Sequence, residues 1–278
     1  MTSLGDASGS PVVVVKLGGD VLEGSALALV AADLGALWAA GWRRVLVVHG
    51  GGAQATRMSE RLGLTPRLVG GRRITDQETL DVMKMIVGGR LNIDLVAALR
   101  AHDVPAVGLS GTSGIVRARP RPPRIVAGGG DLPIDFGLVG DIQGFDLGVP
   151  SLLLNAGFCP VLACLGLAPA GMVLNINGDV VASQLAVAAR AKALVVVTGV
   201  GGVRRDKNDA RTRMARLTVS EARAAIASGA VVGGMIPKLQ EAFFPLSDGV
   251  DAVHIVAPGE IAAAVAGPGT VGTLLVND

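Results

Sequence analysis

The sequence reads as an α/β protein with a mainly parallel, open sheet sandwiched by helices and divided into two lobes. Three observations carry that reading. Half of the 278 residues are hydrophobic while aromatics make up 3% and tyrosine is absent, so the core is built from Val, Leu, Ile and Ala, as in strands buried on both faces. Short β-branched runs recur, each followed by a glycine cluster and then by residues at helical spacing. The 40 glycines fall mostly in those clusters, which marks them as loops rather than low-complexity tracts.

The elements follow in order. After a Gly/Ser-rich leader over residues 1–11, residues 12–17 form a buried strand that ends in Gly18-Gly19-Asp20. A helix over 26–40 leads to a strand over 44–48, which ends in His49-Gly50-Gly51-Gly52 before a helix over 54–62. Residues 78–101 are the longest uninterrupted helical segment, tolerating Gly88-Gly89, and suit a dimer contact as well as a core contact. A strand over 105–109 stops at Ser110-Gly111, and the Pro-, Arg- and Gly-rich stretch 117–135 forms a hairpin or excursion. A helix over 149–156 and a strand over 160–165 complete an N-terminal lobe of residues 12–179. The C-terminal lobe, 180–278, opens with a helix over 180–189 introduced by Asn175 to Asp179. Its strand over 193–197 runs into Thr198-Gly199-Val200-Gly201-Gly202-Val203 and a charged loop over 204–213. A helix over 220–228, a glycine turn over 233–238, a helix over 238–248 and strands over 252–256 and 272–276 finish the chain.

Composition excludes several classes. The net charge of +2 comes from 25 basic and 23 acidic residues, and the only basic concentration, 117–124, is broken by prolines and poor in aromatics. That stretch reads as a solvated loop, so no nucleic-acid partner is expected. Cys159 and Cys164 lie in an apolar run with three histidines in the whole chain, which fits neither a zinc site nor a disulfide framework. They read as buried free thiols in a reducing compartment. No charged n-region precedes an apolar stretch, and no apolar run reaches about 18 residues, so neither secretion nor membrane insertion is expected. A cytoplasmic protein follows.

Glycines at three strand ends let the backbone approach an anion, and the helix that follows offers free N–H groups. In an open parallel sheet such loops share the carboxyl edge, where ligands bind. Neither a Walker pattern nor a Gly-x-Gly-x-x-Gly after the first strand is present. Lys16 stands inside an apolar strand, where a lysine is seldom left unpaired, and Gly18-Gly19 follow it directly. Lys238 follows Gly233-Gly234-Met235-Ile236-Pro237 at a helix start, opposing the helix dipole unless an anion binds there.

The order and spacing of these blocks resemble the amino acid kinase family, and within it the branch that phosphorylates N-acetylglutamate. The matching segments are Val15-Lys16-Leu17-Gly18-Gly19, Val48-His49-Gly50-Gly51-Gly52, Gly71-Arg72-Arg73-Ile74-Thr75-Asp76, Gly108-Leu109-Ser110-Gly111, Asn175-Ile176-Asn177-Gly178-Asp179 and Gly233-Gly234-Met235-Ile236-Pro237-Lys238. The resemblance implies transfer of the γ-phosphoryl group of ATP, with Mg²⁺, to the side-chain carboxylate of N-acetyl-L-glutamate in arginine biosynthesis. It implies an N-terminal lobe that binds the acylamino acid and dimerises, and a C-terminal lobe that binds ATP. By similarity, Lys16 and Lys238 neutralise the transferring phosphoryl group and Asp179 holds both ammonium groups, its alternative role being a helix N-cap. Arg73, rather than Arg72, is the expected clamp for the substrate α-carboxylate, Asn175 a second substrate contact, and Gly51 and Gly52 part of the same pocket. Gly18, Gly19, Thr198, Gly199, Gly202, Asp206, Gly234 and Met235 are the expected ATP and phosphate contacts. No protein metal ligand is expected, and His49 is read as structural because an ionised carboxylate needs no general base.

The chain departs from the family pattern at Gly199 and Gly201, where Asp and Pro are usual, and Asp20 stands where Asn or Ser is common. Asp206 is the acid expected to compensate for Gly199. The leader lacks an amphipathic helix, so an arginine-insensitive homodimer is expected. Two alternatives stay open: a kinase for carrier-protein-linked aminoadipate or glutamate, with 117–124 as the docking mouth, and a non-catalytic sensor on the same fold.

Overall fold

The computed structural model describes residues 11–126, 128–206 and 209–278; nearly all of the expected leader lies outside these residues. The N-terminal half contains β1 (Val13–Leu17), α1 (Gly24–Ala39), β2 (Val45–His49), α2 (Gly52–Arg61) and the small hairpin β3 (Leu68–Val69) and β4 (Arg72–Arg73). Then come α3 (Gln77–Met83), α4 (Asn92–Arg100), β5 (Ala106–Ser110), β6 (Val116–Pro120), β7 (Gly140–Phe145) and α5 (Gly148–Asn155). Next are β8 (Cys159–Ala163), β9 (Leu165–Leu167), β10 (Val173–Asn175), α6 (Gly178–Ala188) and β11 (Ala193–Val197). The chain ends with β12 (Arg216–Thr218), α7 (Val219–Ala227), α8 (Met235–Ser247), β13 (Ala252–Val256), α9 (Ile261–Ala266) and β14 (Thr273–Val276).

One eight-stranded sheet runs through both lobes in the order β12-β14-β13-β11-β1-β2-β8-β5. Every neighbour pair is parallel except β13 with β14. Strands β1, β2, β8 and β11 are buried along their whole length, as sequences apolar except for Lys16 and His49 require when helices cover both faces. Strand β1 pairs with β11 on one side and β2 on the other, with Lys16 opposite Val196 and Val48. The two expected lobes therefore share a single sheet and meet along β1 and β11.

The long helical segment is continuous from α3 to α4, but Lys84–Leu91 winds as a π-helix. A wider turn of this kind re-aims side chains within a helix. Here Val87 and Leu91 pack against Gly51, where a Cβ would lie 2.4 Å from Leu91 Cδ1. Only glycine permits that approach of helix and loop.

The excursion expected over 117–135 is a hairpin of β6 and β7, joined to β9 and β10 in a four-stranded sheet. Arg121 within it is ion-paired to Asp141 at 2.7 Å. Cys159 and Cys164 are buried free thiols, as expected. Among the described residues no helix is long and apolar enough to cross a membrane.

Two helix starts beside the site differ from the sequence reading, and α9 is an element that this reading does not contain. Helix α8 starts at Met235 rather than 238, which places Lys238 inside its first turns. Helix α6 starts at Gly178, and the side chain that caps it is Asn177, which accepts the Asp179 N–H at 2.7 Å. Asp179 is thus not the N-cap and its carboxylate is left for other partners. Helix α9 has no local start signal, because Asp33 on α1 caps it by accepting the N–H groups of Ile261 and, at 3.2 Å, Ala262.

Candidate active site

The carboxyl ends of β1, β2 and β11 carry the three glycine loops to one edge of the sheet. Helix α6 enters this edge with its N-terminus against the second loop; a Cβ on Gly178 would sit 3.5 Å from Gly50 Cα. That contact brings Asp179, in the first turn of α6, over the end of β1.

Asp179 lies between two lysines. Its Oδ1 is 2.5 Å from Lys16 Nζ and its Oδ2 is 4.0 Å from Lys238 Nζ. Lys16 is buried in the strand, 4% exposed, so its ammonium needs this partner. Burial raises the Asp179 pKa, but the charges of Lys16 and Lys238 and the hydrogen bond from Lys16 outweigh it and hold the carboxyl below its ordinary 3.8. Lys238 is shifted down from 10.5, first by burial and then by the positive charge of Lys16, with Asp179 and Asp20 opposing. Glu241, on α8 with Lys238, joins the lining of this cleft with Ser183, and burial followed by the Asp179 charge raises its pKa. Sequence reading passed over Glu241, because its place in the site depends on how α8 packs on α6.

A second group of polar side chains lies towards β2. Arg73, on β4, donates from Nη2 to Gly52 O at 2.9 Å and to Thr56 Oγ1 at 2.6 Å. Its Nη1 is buried with no hydrogen-bond partner among the described residues. Arg72 beside it is exposed. Asn175 is buried and donates to Thr75 Oγ1 at 3.1 Å, and Thr75 lies two residues after Arg73. Arg73 therefore holds the loop of Gly51 and Gly52 through the Gly52 carbonyl, with one guanidinium N–H left over, and Asn175 is tied to Thr75, two residues along from Arg73. Thr75 meets Asn175 because residues 137–139 bridge to both, Gly137 to Thr75 and Val139 to Asn175, a pairing that sequence does not reveal.

The β1 loop is held from both sides. Gln54 donates to Gly19 O at 2.6 Å, and a Cβ on Gly19 would lie 2.8 Å from Gln54 Oε1 and 3.4 Å from Gly51 Cα. Gly19 thus approaches the second glycine loop directly, while Gly18 lies against Asp20 and Val197 O. Gln54 was not singled out from sequence, where it is one polar residue of an amphipathic helix.

On the β11 side the expected phosphate cradle is already occupied by side chains. Asp20 Oδ2 accepts the Gly199 N–H at 2.7 Å, and Thr198 Oγ1 accepts those of Val200 at 3.2 Å and Gly201 at 3.3 Å. Thr273 Oγ1 accepts from Val203 at 2.8 Å. Gly201 has φ +69 and a Cβ there would lie 2.8 Å from Ala257 Cβ, so this loop is a shaped platform rather than a set of free donors. The carboxylate against Gly199 belongs to Asp20; Asp206 is exposed in the following loop, with its N–H on Thr212 Oγ1. Gly202, with φ +139, continues the platform, while Gly234 and Met235 open α8 beside Lys238.

His49 is fully buried, with Nδ1 2.9 Å from Gly50 O and Nε2 3.0 Å from Asn92 Nδ2. Burial lowers its pKa to about 4, so at neutral pH it is an uncharged link that donates to Gly50 and accepts from Asn92. No group of three or more His, Cys, Asp or Glu that could hold a metal exists among the described residues. Asp179, the acid nearest the lysines, is committed to them.

The site is therefore a cleft of two cations around one anion, edged by glycine loops, with a half-buried guanidinium to one side. Comparisons with known proteins give the chain's lineage. The amino acid kinase family model matches residues 11–257. The acetylglutamate kinase of Sorangium cellulosum is 53% identical over 268 residues, which cover 95% of this chain and 94% of that protein. The acetylglutamate kinase of Symbiobacterium thermophilum is 40% identical over 246 residues, 88% of this chain and 83% of that one. Among solved structures, N-acetylglutamate synthase from Neisseria gonorrhoeae, complexed with coenzyme A and L-arginine, matches with a TM-score of 0.77 at 22% identity. The match covers 96% of this chain but 62% of the synthase, so this chain spans about three fifths of that protein. Giardia carbamate kinase matches with a TM-score of 0.72 at 16% identity, over 98% of this chain and all of the other. The structural likenesses carry the fold and the sequence relatives carry the lineage: the chain belongs to the amino acid kinase family.

Proposed function

We propose that this chain transfers the γ-phosphoryl group of ATP to the side-chain carboxylate of N-acetyl-L-glutamate, giving the acyl phosphate and ADP in arginine biosynthesis. The observation that carries the reading is the Lys16–Asp179–Lys238 cluster at the carboxyl edge of the sheet. A carboxylate oxygen attacks the γ-phosphorus in line, its new O–P bond forming as the bond to the β,γ-bridging oxygen breaks. Nucleophile and electrophile are both anions, so the main tasks are alignment and charge neutralisation. Lys16 and Lys238 supply the positive charge, and Asp179 fixes their separation without accepting a proton from substrate. His49, uncharged and fully engaged, takes no part in proton transfer.

The N-terminal lobe, residues 12–179, binds the acylamino acid. The free Nη1 of Arg73 supports its role as the clamp on the α-carboxylate, and Asn175, oriented by Thr75, contacts the backbone or acetamide. The C-terminal lobe, residues 180–278, binds ATP against the β11 platform and the start of α8. Mg²⁺ would enter with the nucleotide and, when bound, would neutralise phosphate charge; the described residues offer no acidic cage for it. The enzyme works as a cytoplasmic homodimer. Exposed Met85 and Ile93 on the long helical segment support that segment as the contact.

The test is an acyl-phosphate hydroxamate assay run with ATP on acetylglutamate, glutamate, aspartate, aminoadipate and carrier-protein-linked aminoadipate and glutamate. Turnover confined to acetylglutamate is expected. Turnover only with carrier-linked acceptors, or none with any, would overturn the assignment. Sedimentation as a hexamer, or inhibition by millimolar arginine, would overturn the arginine-insensitive dimer.

A further inference from the structure

We propose that Asp20 is a positioning residue for the nucleotide: its carboxylate latches the β1 loop to the β11 platform and so sets ATP affinity. The inference rests on the ATP-binding reading above but adds a residue that this reading does not use. Asp20 follows Gly18-Gly19 and is exposed, where an acidic side chain has no need of a partner. It nevertheless turns back across the sheet edge to accept the Gly199 N–H at 2.7 Å, joining residues 179 positions apart. The geometry around it is built for this turn. A Cβ on Gly18 would lie 2.2 Å from Asp20 Oδ1, and one on Gly199 would lie 3.1 Å from Asp20 Oδ2. Glycines on both flanks leave the carboxylate room to sit between the loops.

The location assigns the latch to the nucleotide half. Arg73, Asn175 and Gly52 lie towards β2, on one side of β1, whereas Gly199 ends β11 on the other. The amides of Val200, Gly201 and Val203 are fixed from within the C-terminal lobe, by Thr198 and Thr273. The Asp20 side chain ties that platform to the loop beside Lys16, next to a longer backbone bond from the Gly18 N–H to Val197 O at 3.3 Å. Its negative charge also reaches Lys238 across the cleft. A carboxylate accepting one backbone N–H forms a charge-assisted hydrogen bond, and losing it would let the two loops drift apart before the phosphates arrive.

The experiment measures ATP binding to the full chain by calorimetry, without acceptor, for the wild type, Asp20→Asn and Asp20→Ala. Both substitutions remove the same charge, but asparagine keeps an oxygen on Gly199. Asp20→Ala should therefore bind ATP about fivefold more weakly than Asp20→Asn, the effect of one net hydrogen bond. Acetylglutamate affinity should agree within about twofold among the three proteins, a split that general loosening of the fold would not give. Gly199→Ala, which crowds the same oxygen, should weaken ATP binding in the wild type and add nothing in the Asp20→Ala background. Equal ATP affinity of the alanine and asparagine variants, or fully additive effects of the Gly199 and Asp20 substitutions, would refute the latch. Failure of the wild type to bind ATP at all would instead refute the kinase reading.

Discussion

Replacing Asp179 by asparagine removes the one anion between two cations while keeping the side chain's shape. At an effective dielectric of about 20, the 2.5 Å and 4.0 Å contacts correspond to gross attractions of about 7 and about 4 kcal/mol. Most of this is cancelled by the desolvation of three ions. Breaking a buried ion pair by removing one partner typically costs about 3–5 kcal/mol. The lower end, about 3 kcal/mol, applies here because the Asp179 and Lys238 side chains are each 25% exposed. For a chain of this size that is a fall in Tm of about 6–12 °C.

The catalytic effect should be larger than the loss of stability implies. Two ammonium groups left facing each other would separate or shed a proton, and kcat should fall by roughly 10²–10³. The pH profile gives a sharper readout. The Asp179 charge is among the influences that keep Lys238 protonated, so in Asp179→Asn the alkaline loss of activity should move to lower pH than in the wild type. The acid side changes as well. The folded Asp179 pKa lies below 3.8, so its stabilisation is fully present above 3.8 and is lost as pH falls through the lower folded value. That acid-labile component should be missing from the variant. Steady-state kinetics from pH 6 to 10, with thermal melts from pH 3 to 8, measure both. A kcat within tenfold of the wild type, together with an unmoved alkaline limb, would show that Asp179 does not organise the lysines.

Other expectations follow from the same geometry. Lys238→Ala should lower kcat by roughly 10² or more while acetylglutamate binding, measured by calorimetry, stays within about twofold. Arg73→Ala should raise KM for acetylglutamate by roughly 10², the cost of leaving a substrate carboxylate unpaired, with KM for ATP little changed; an effect confined to ATP would refute the assignment. In the wild type, kcat/KM for ATP should decline with an apparent pKa below 10.5, the ordinary lysine value, because burial and Lys16 depress Lys238 in the free enzyme. In kcat that limb should lie higher, since bound phosphate restores the charged form. Folding is disfavoured while Lys238 is charged, and this penalty fades as pH rises from the lowered folded pKa towards 10.5.

Much of the fold was legible because the signals are local. β11 falls on the residues expected, and β1 and β2 lie within one residue of expectation at each end, since unbroken β-branched runs have few other uses in a chain with glycine turns. The helix starts were less legible. Asp179 has the chemistry of an N-cap, yet Asn177 caps α6 and so leaves the Asp179 carboxylate for Lys16. The α9 cap comes from Asp33 on another helix, a long-range contact with no trace at residues 258–262. In the site, Lys16 stood out as a charge inside an apolar strand and Lys238 as a cation at a helix start, while Asp179 came with the family resemblance. Gln54, Thr75 and Glu241 did not, since each acts through a neighbour that only the packed sheet edge brings near. The departures at Asp20 and Gly199 looked unrelated in sequence and are one hydrogen bond in the structure.

The charge cluster draws on three separate elements: Lys16 from the central strand β1, Asp179 from the start of α6 and Lys238 from α8. No contiguous piece of the chain shorter than residues 16–238 contains it. During synthesis, β1 is made early and must wait, with a lysine in its apolar middle, until α6 and then α8 emerge. The same ammonium that serves the substrate is thus a liability for every partly assembled state. Mutations that slow the docking of α8 should reduce yield in the cell before they reduce the activity of the molecules that fold.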